Sequence, residues 1–331
     1  MNREQARKKL VERTNMKLKA LSHYNGDMNT RFGDCILLYD STELVVYDCG
    51  HKQHAQEVEN FLDANKLITK VYIVVSHNDN DHTSGVYDLI EWLYEQKRHS
   101  VSLFTHQYLK HVDTILEKIA DKRRNRESLK KSLLDEFDNI ATIIETAQKC
   151  EFSALEALSG TKVGNCTIAG PSIDEFTDVA AKAIDSREND NIGEGHAEET
   201  VMNAASIQLE CTLENGKSIL LCGDASPTYL HNLDSYDIIQ LPHHGQLADA
   251  QAIFEMLKDS YSKTYLISDN TGSGATSGGS DKLVEYMKEE CYELALNTQN
   301  GVVQIENNKN TSMVNAKPKG VVLGEMDCSK Q

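Results

Sequence analysis

The chain has 331 residues, 40% of them hydrophobic, which is enough for one large domain or two small ones with a real core. Its 34 Lys and Arg against 51 Asp and Glu give a formal charge of −17. This charge argues against non-specific binding to duplex DNA, although a bound cation can reverse the local sign. No apolar run approaches the roughly 20 residues of a membrane span, and segment 1–13 lacks the apolar core of a secretory signal. With eight cysteines and no CxxC pair, the sequence predicts a cytoplasmic protein whose thiols are reduced and bind no metal.

The first hundred residues alternate between strand and helix patterns. A first strand is predicted over 17–23, and two apolar runs at 34–39 and 43–48 predict a hairpin. Segment 56–67 places its apolar residues on one helical face, and 71–75 is a fully apolar strand of the kind that is buried on both sides. This order indicates a layered α/β protein.

From His106 to Leu158, apolar residues recur every three or four positions and predict a helical hairpin that breaks near 121–126. The hairpin follows a predicted strand, Val101–Thr105, beside the strand over 71–75, so we expect it to overhang that edge of the sheet. Its turn carries the basic residues Lys122, Arg123, Arg124 and Arg126. They can be read as a solvated helix end, or as a surface that contacts phosphate or a protein partner.

Strand patterns resume in the second half. Strands are predicted at 161–169, 206–213, 218–222, 236–241, 264–268 and 302–305, and helices at 250–258 and 282–288. Segment 171–199 is polar and acidic and predicts a long loop. Segment 307–331 predicts a polar C-terminal tail.

The strongest chemical signal is the run His77-Asn-Asp79-Asn-Asp81-His82, which follows the buried strand over 71–75. Two carboxylates and two imidazoles in so short a turn can hold two divalent cations. The alternative interpretation is an acidic turn that caps the next helix.

Two later strand ends carry residues of the same kind. Asp224 ends the run Leu-Leu-Cys-Gly-Asp, and His243-His244 follows the strand over 236–241 within Pro-His-His-Gly. Each signal is weak alone. Because the carboxyl ends of several strands meet at one crevice, the three ends together predict a single metal site.

These motifs resemble those of the metallo-β-lactamase fold. The HxDxDH form, with Gly-Asp224 and Pro-His-His-Gly245, is similar to ComEC-type competence hydrolase domains and to bacterial phosphorylcholine esterases of that fold. Gly33-Asp34 and Asp48-Cys-Gly50 match the opening hairpins of the family, and the resemblance covers about 16–306. It implies an αββα four-layer sandwich over 1–306, with the helical hairpin at about 106–158 as an insertion.

The resemblance also implies a ligand set. His77 and Asp79 bind one metal, while Asp81 and His82 bind the other together with either His243 or His244. Asp224 bridges both cations, and Asp48 supports the motif loop by hydrogen bonding. The implied cations are two Zn²⁺, with Mn²⁺ as the alternative because Asp79 replaces an imidazole by a harder oxygen ligand.

Two departures from the family pattern leave choices open. The usual histidine before the Gly-Asp strand is missing, so either Asn203 or His196 completes the first site. The glycine-rich segment 270–279 stands where related nucleases often have a further histidine. It is either a flexible connector or a backbone-amide cradle for an anion.

The ligand set predicts hydrolysis. A pair of divalent cations lowers the pKa of a bound water to about 7 and so supplies a hydroxide nucleophile. Asp81 can hold that nucleophile, and whichever of His243 and His244 is not a ligand can donate a proton. The predicted catalytic residues are therefore Asp81, His243 and His244.

Three functions fit this chemistry. The first is a phosphodiesterase or nuclease. The second is a hydrolase of small phosphoesters, carboxyl esters or lactones, which the acidic charge favours. The third is a non-catalytic, metal-stabilised interaction module. We expect the insertion to bind a protein partner or a second copy of the chain, and analogy suggests an effector of a bacterial multi-protein system such as anti-phage defence.

Overall fold

The computed structural model describes residues 16–22, 33–120, 124–189, 203–269, 280–306 and 312–314. Two β-sheets pack face to face, with helices outside them. In chain order the strands are β1 (Lys17–Ala20), β2 (Ile36–Tyr39), β3 (Glu43–Tyr47), β4 (Lys70–Val74), β5 (Ser100–Thr105), β6 (Ser153–Glu156), β7 (Lys162–Val163), β8 (Cys166–Gly170), β9 (Gln208–Thr212), β10 (Ser218–Leu221), β11 (Ile238–Gln240), β12 (Thr264–Ile267), β13 (Ala295–Asn297), β14 (Val302–Ile305) and β15 (Ser312–Val314).

The helices lie between these strands. Within the described residues the α-helices are α1 (Lys52–Ala64), α2 (Asn80–Thr83), α3 (Val86–Gln96), α4 (Val112–Lys118), α5 (Arg126–Glu136), α6 (Asp138–Lys149), α7 (Ile173–Asn189), α8 (Leu247–Met256) and α9 (Asp281–Glu289).

Each sheet has a parallel half, and this places the functional strand ends. The first sheet has the order β15-β14-β1-β2-β3-β4-β5-β6, and β3 to β6 are parallel neighbours. The second has the order β13-β12-β11-β10-β9-β8-β7, and β10 to β13 are parallel. Carboxyl ends of parallel strands lie at one edge, so the loops after β3, β4, β10 and β11 can meet there.

Three apolar layers hold the sandwich together. Between the sheets, residues such as Leu18, Val45 and Val74 pack with Leu209 and Leu266 in one buried cluster. A second cluster joins the outer face of the first sheet to α1, α3 and α6. A third joins the outer face of the second sheet to α8 and α9. The predicted four-layer α/β sandwich is confirmed.

The segment 106–158, predicted as a helical hairpin, contains three helices, α4, α5 and α6, followed by the strand β6. Their apolar faces join the cluster on the outer side of the first sheet through Ile115, Leu133 and Ile143. The helical hydrogen-bonding pattern is interrupted at Phe137, between α5 and α6. The Phe137 ring stacks on Tyr108 with 3.5 Å between the ring centroids. The exit of β5 and the α5–α6 break are therefore fixed to each other.

The prediction of a loop over 171–199 is wrong for the first part of this segment, where the chain forms α7. Ser172 and Glu175 cap this helix: the Ser172 N–H and hydroxyl donate to the Glu175 carboxylate, each at 2.8 Å. Phe176, Ala180 and Ile184 bury one face against the core. The polar composition that suggested a loop belongs to the exposed face of an amphipathic helix.

Several other expectations concern the ends and the surface. Ser312–Val314 of the predicted tail pairs with β14, and the rest of the tail lies outside the described residues. The cysteines that the structure describes are all free, and all but Cys291 are buried. None of the helices in the described ranges has both the length and the apolar character that crossing a bilayer requires.

Candidate metal centre

The predicted site residues lie at the carboxyl ends of strands from both sheets. His77 and Asp79 follow β4, while Asp224 follows β10 and the His243-His244 pair follows β11. The two sheets are linked close by, because the Tyr47 hydroxyl donates to the Ile207 carbonyl oxygen at 2.6 Å. All seven predicted ligands converge on one cluster, namely His77, Asp79, Asp81, His82, Asp224, His243 and His244.

In the first group of potential ligand atoms, His77 faces one oxygen of Asp224. His77 Nε2 lies 3.8 Å from Asp224 Oδ2 and 3.7 Å from Asp79 Oδ2. Asn203 Nδ2 donates to Asp79 Oδ2 at 2.7 Å, so Asn203 stands where the sequence left a choice between it and His196. His196 lies outside the described residues.

In the second group of potential ligand atoms, His82 faces the other oxygen of Asp224. His82 Nε2 lies 3.4 Å from Asp224 Oδ1, and His244 Nε2 lies 2.9 Å from Asp81 Oδ2. The His82 ring centroid is 4.1 Å from that of His77 and 5.3 Å from that of His244. Asp224 is thus central, with one carboxylate oxygen toward each group.

Carboxylates behind the site fix the orientation of three imidazoles. Nδ1 of His82 is 2.8 Å from Asp48, and Nδ1 of His243 is 2.7 Å from Asp249. Nδ1 of His244 is 3.1 Å from Asp34 Oδ1. A carboxylate only accepts, so each Nδ1–H donates and each Nε2 is directed at the cluster as a potential ligand.

Asp48 also holds the motif loop itself. Its Oδ1 accepts from the Ser76 N–H at 2.7 Å, and its Oδ2 accepts from the Ser76 hydroxyl at 2.6 Å. This is the supporting role that the family resemblance implied for Asp48.

The residues present fit a pair of cations. His77 Nε2, His82 Nε2 and Asn203 Oδ1 are buried and have no hydrogen-bond partner among the described residues. Buried polar atoms are normally paired. His77, His82 and Asp224 bring one ligand atom each within 4.8 Å of one another, and so do Asp34, His82 and His244.

Mutual attraction between these groups shifts their titration. Burial would raise the pKa of Asp224, but His82, His243 and His244 hold it well below its usual range. Burial would lower the pKa of His82, yet Asp224 and Asp48 outweigh this and raise it. A metal cation, like a proton on an imidazole, brings positive charge into the cluster. The carboxylates that favour protonation of the histidines therefore also favour binding of a cation.

The backbone around the site adopts conformations that L-residues seldom take. Asp48, His243 and His244 have φ of 59°, 50° and 53°. Such strain persists where the surrounding structure enforces it, and here it turns both imidazoles of the pair toward the cluster. Gly50 allows a close approach, because a Cβ at that position would lie 1.8 Å from the Asp81 carbonyl oxygen.

Sequence reasoning missed two supporting carboxylates. Asp34 lies in a hairpin motif that implies no role for its side chain, and the structure places it against His244. Asp249 lies six positions after His243, in the first turn of α8, and no motif marks it. Segment 270–279, for which the sequence left open a connector or an anion cradle, lies outside the described residues.

Comparison with known protein families shows which superfamily the chain belongs to. The model of the metallo-beta-lactamase superfamily matches residues 28–268. The chain therefore belongs to this superfamily, whose members are generally metal-dependent hydrolases that bind divalent cations. No curated protein matches the chain.

Solved structures with some likeness include the metallo-beta-lactamase fold protein YhfI from Bacillus subtilis, at 12% identity and a TM-score of 0.49, covering 88% of this chain and 99% of that one. A putative metallo-beta-lactamase from Thermotoga maritima has 13% identity and a TM-score of 0.34, covering 64% and 80%. A long form RNase Z from yeast has 10% identity and a TM-score of 0.43, covering 92% and 50%. Membership rests on the family match.

Proposed function

We propose that this protein is a metal-dependent phosphodiesterase or nuclease of the ComEC-type subgroup. The observation that carries the proposal is the central carboxylate of Asp224, which turns one oxygen toward each of two ligand groups. If the residues on either side of Asp224 hold one cation each, the pair would supply positive charge for a displacement at phosphorus.

The distances support a specific ligand set. We assign His77, Asp79 and Asp224 to the first cation, with Asn203 Oδ1 as a further oxygen ligand. We assign the second cation to four residues, namely Asp81, His82, His244 and Asp224. His244 is chosen from the histidine pair because its Nε2 is in contact with Asp81. When bound, the cations act as Lewis acids and lower the pKa of a bound water.

His243 is left as the proton donor. Its Nδ1 is held by Asp249, and its Nε2 lies 3.9 Å from Asp224 Oδ2, at the edge of the cluster. An imidazole oriented by a carboxylate and facing the reaction centre can deliver a proton to a leaving oxygen. Asp81 is partly exposed and its Oδ2 lies 2.9 Å from His244 Nε2, so it can also orient the attacking water.

The metal content tests the ligand set directly. Protein purified without chelator is expected to contain two equivalents of divalent cation, Zn²⁺ by preference and Mn²⁺ as the alternative. Elemental analysis measures the stoichiometry. Protein that contains no stoichiometric metal and takes up none on titration would contradict the assignment.

A substrate panel tests the activity. The metal-loaded protein is assayed with bis-p-nitrophenyl phosphate, single-stranded DNA, duplex DNA and RNA, beside p-nitrophenyl acetate and a lactone. Cleavage of phosphodiesters that stops on chelation and returns with metal is the expected result. The Asp224→Ala protein serves as the control for contaminating nuclease.

The net charge of −17 favours a second candidate, hydrolysis of a small carboxyl ester or lactone, because a polyanion is repelled at long range. Turnover of the acetate or lactone without cleavage of any phosphodiester would select that function. Two bound cations with no turnover of any substrate would favour the non-catalytic, metal-stabilised module.

The proposed setting rests on analogy. We infer a cytoplasmic effector of a bacterial multi-protein defence system, in which segment 106–158 binds a protein partner or a second copy of the chain.

A further inference from the structure

Asn78 lies between two proposed ligands, His77 and Asp79, but its own side chain makes hydrogen bonds to the helical insertion. Its Nδ2 donates to the Glu136 carbonyl oxygen at 3.2 Å, and its Oδ1 accepts from the Ile140 N–H at 3.0 Å. Only 8% of Asn78 is exposed. A buried side-chain amide that makes hydrogen bonds to both a backbone carbonyl and a backbone N–H is held in one position.

Asn139, in the first turn of α6, completes the connection from the other side. Its Nδ2 donates to the Asn78 carbonyl oxygen at 2.7 Å and to Asn80 Oδ1 at 3.1 Å. We call these hydrogen bonds between residues 78–80 and residues 136–140 the asparagine latch. The latch joins segments about 60 positions apart in the chain.

The break between α5 and α6 makes the latch available. The first N–H groups of a helix and the last carbonyl groups have no partner within that helix. The Ile140 N–H belongs to the first turn of α6, and the Glu136 carbonyl belongs to the last turn of α5. An unbroken helix would use both groups internally, so the break supplies the groups that Asn78 binds.

We propose that Asn78 and Asn139 are positioning residues for the metal centre. Through them the insertion holds the loop that carries His77, Asp79 and Asp81 in the geometry that binds cations. The inference rests on the ligand set of the proposed function. Residues that orient metal ligands typically change metal affinity about 10- to 100-fold when they are removed.

The test is Asn139→Ala, a change in the insertion that leaves every proposed ligand in place. We expect Zn²⁺ affinity, measured by competition with a chromophoric chelator, to fall about 10- to 100-fold. The visible absorption of the Co²⁺-loaded protein should change in intensity, because the ligand geometry around one cation is altered. In metal-free protein, amide hydrogen exchange over 77–82 should become faster.

The matched control is Tyr87→Phe. The Tyr87 hydroxyl donates to the Asn139 carbonyl oxygen at 3.1 Å, so this variant also loses a hydrogen bond to Asn139, but from α3 and not from the metal loop. Its Zn²⁺ affinity is expected to stay within about twofold of the parent. If Asn139→Ala does not fold by circular dichroism, Asn78→Ser replaces it, since that change removes the amide that contacts Glu136 and Ile140 and adds no charge beside the proposed ligands.

Three results would overturn the proposal. One is an Asn139→Ala protein with parental Zn²⁺ affinity and parental exchange over 77–82. Another is an equal loss of affinity in Tyr87→Phe, and the third is a parent that binds no metal. If affinity falls only in the latch variants while the parent cleaves no phosphodiester, the latch stands and the proposed function fails.

Discussion

At the scale of single residues, His243 and His244 adjoin in the sequence but occupy different places in the centre. His244 Nε2 contacts Asp81, whereas His243 Nε2 is 3.9 Å from its nearest carboxylate partner, Asp224. Both residues have positive φ, so the turn directs two consecutive side chains into one cluster.

This difference predicts opposite phenotypes for two similar substitutions. His244→Gln removes a proposed ligand, so the protein should retain one equivalent of metal and lose hydrolysis. His243→Gln should retain two equivalents, while turnover falls about 10²- to 10⁴-fold, the usual contribution of a proton donor. Elemental analysis and turnover are measured on the same preparations. If His243→Gln loses the metal and His244→Gln keeps it, the two roles are reversed.

Asp81 and Asp224 predict a shared phenotype. Asp81→Ala and Asp224→Ala should each abolish hydrolysis, and Asp224→Ala should also lower the content of both cations because its oxygens face both groups. Neither change is expected to unfold the protein, since the apolar clusters that hold the sandwich together include neither carboxylate. Circular dichroism checks the fold. Near-parental turnover by either variant would show that the site is misplaced.

At the scale of elements, the end of β5 carries a histidine that the proposed chemistry does not use. His106 is 2% exposed, stacks on Phe176 and makes a 2.9 Å hydrogen bond between Nε2 and the Ala205 carbonyl oxygen. Burial lowers its pKa to about 4, and nearby His77 and His111 act in the same direction. It thus joins the insertion side of the first sheet to the loop before β9.

A pH dependence of stability follows from His106. The unfolded chain binds the proton near pH 6.5 and the folded chain only near pH 4. The contribution of neutral His106 to the free energy of unfolding is therefore fully present above pH 6.5, and it is lost as the pH falls from 6.5 toward 4. Between pH 7 and pH 5, the free energy of unfolding of the metal-free parent should fall by about 2 kcal/mol more than that of His106→Gln, as measured by urea unfolding. Parallel losses in both proteins would contradict this assignment.

The element-scale prediction from sequence failed at α7 for a physical reason. Its capping pair, Ser172 and Glu175, fits a known helix-start signature, but the acidic residues on the outer face hid the apolar spacing. Only a neighbouring layer gives Phe176 and Ile184 something to pack against. Continuous apolar runs such as the one in β4 can be recognised without such a neighbour.

At the scale of the whole molecule, the acidic chain carries one basic patch, at the turn predicted near 121–126. Arg126 lies 3.4 Å from Asp113, and Arg124 donates to Ser132 at 2.8 Å. Lys122 and Arg123 lie outside the described residues. Because the net charge is −17, a basic turn is suited to an acidic surface on a partner or on a second copy of the chain.

The partner interpretation predicts a result for Lys122→Glu with Arg123→Glu. The double change should lower the assembly mass in sedimentation, and turnover of bis-p-nitrophenyl phosphate should be unchanged. If the turn grips nucleic acid, the same variant should instead bind it more weakly and with a shallower salt dependence. A variant identical to the parent in both measurements would leave the turn without either role.

The sequence alone determined the layered fold and the proposed ligands. Buried strands such as β4 can be predicted because they are continuous apolar runs. The motif from His77 to His82 can be recognised because several potential ligand side chains lie within one turn. Motif spacing therefore predicted which residues meet. Only the tertiary structure decided how the site residues are arranged. It shows which Asp224 oxygen faces which group and which histidine contacts Asp81. It also shows the contacts of Asp249 and Asn139 that support the site. Those partners are close in space because sheets and helices pack, and no local pattern in the chain encodes that distance.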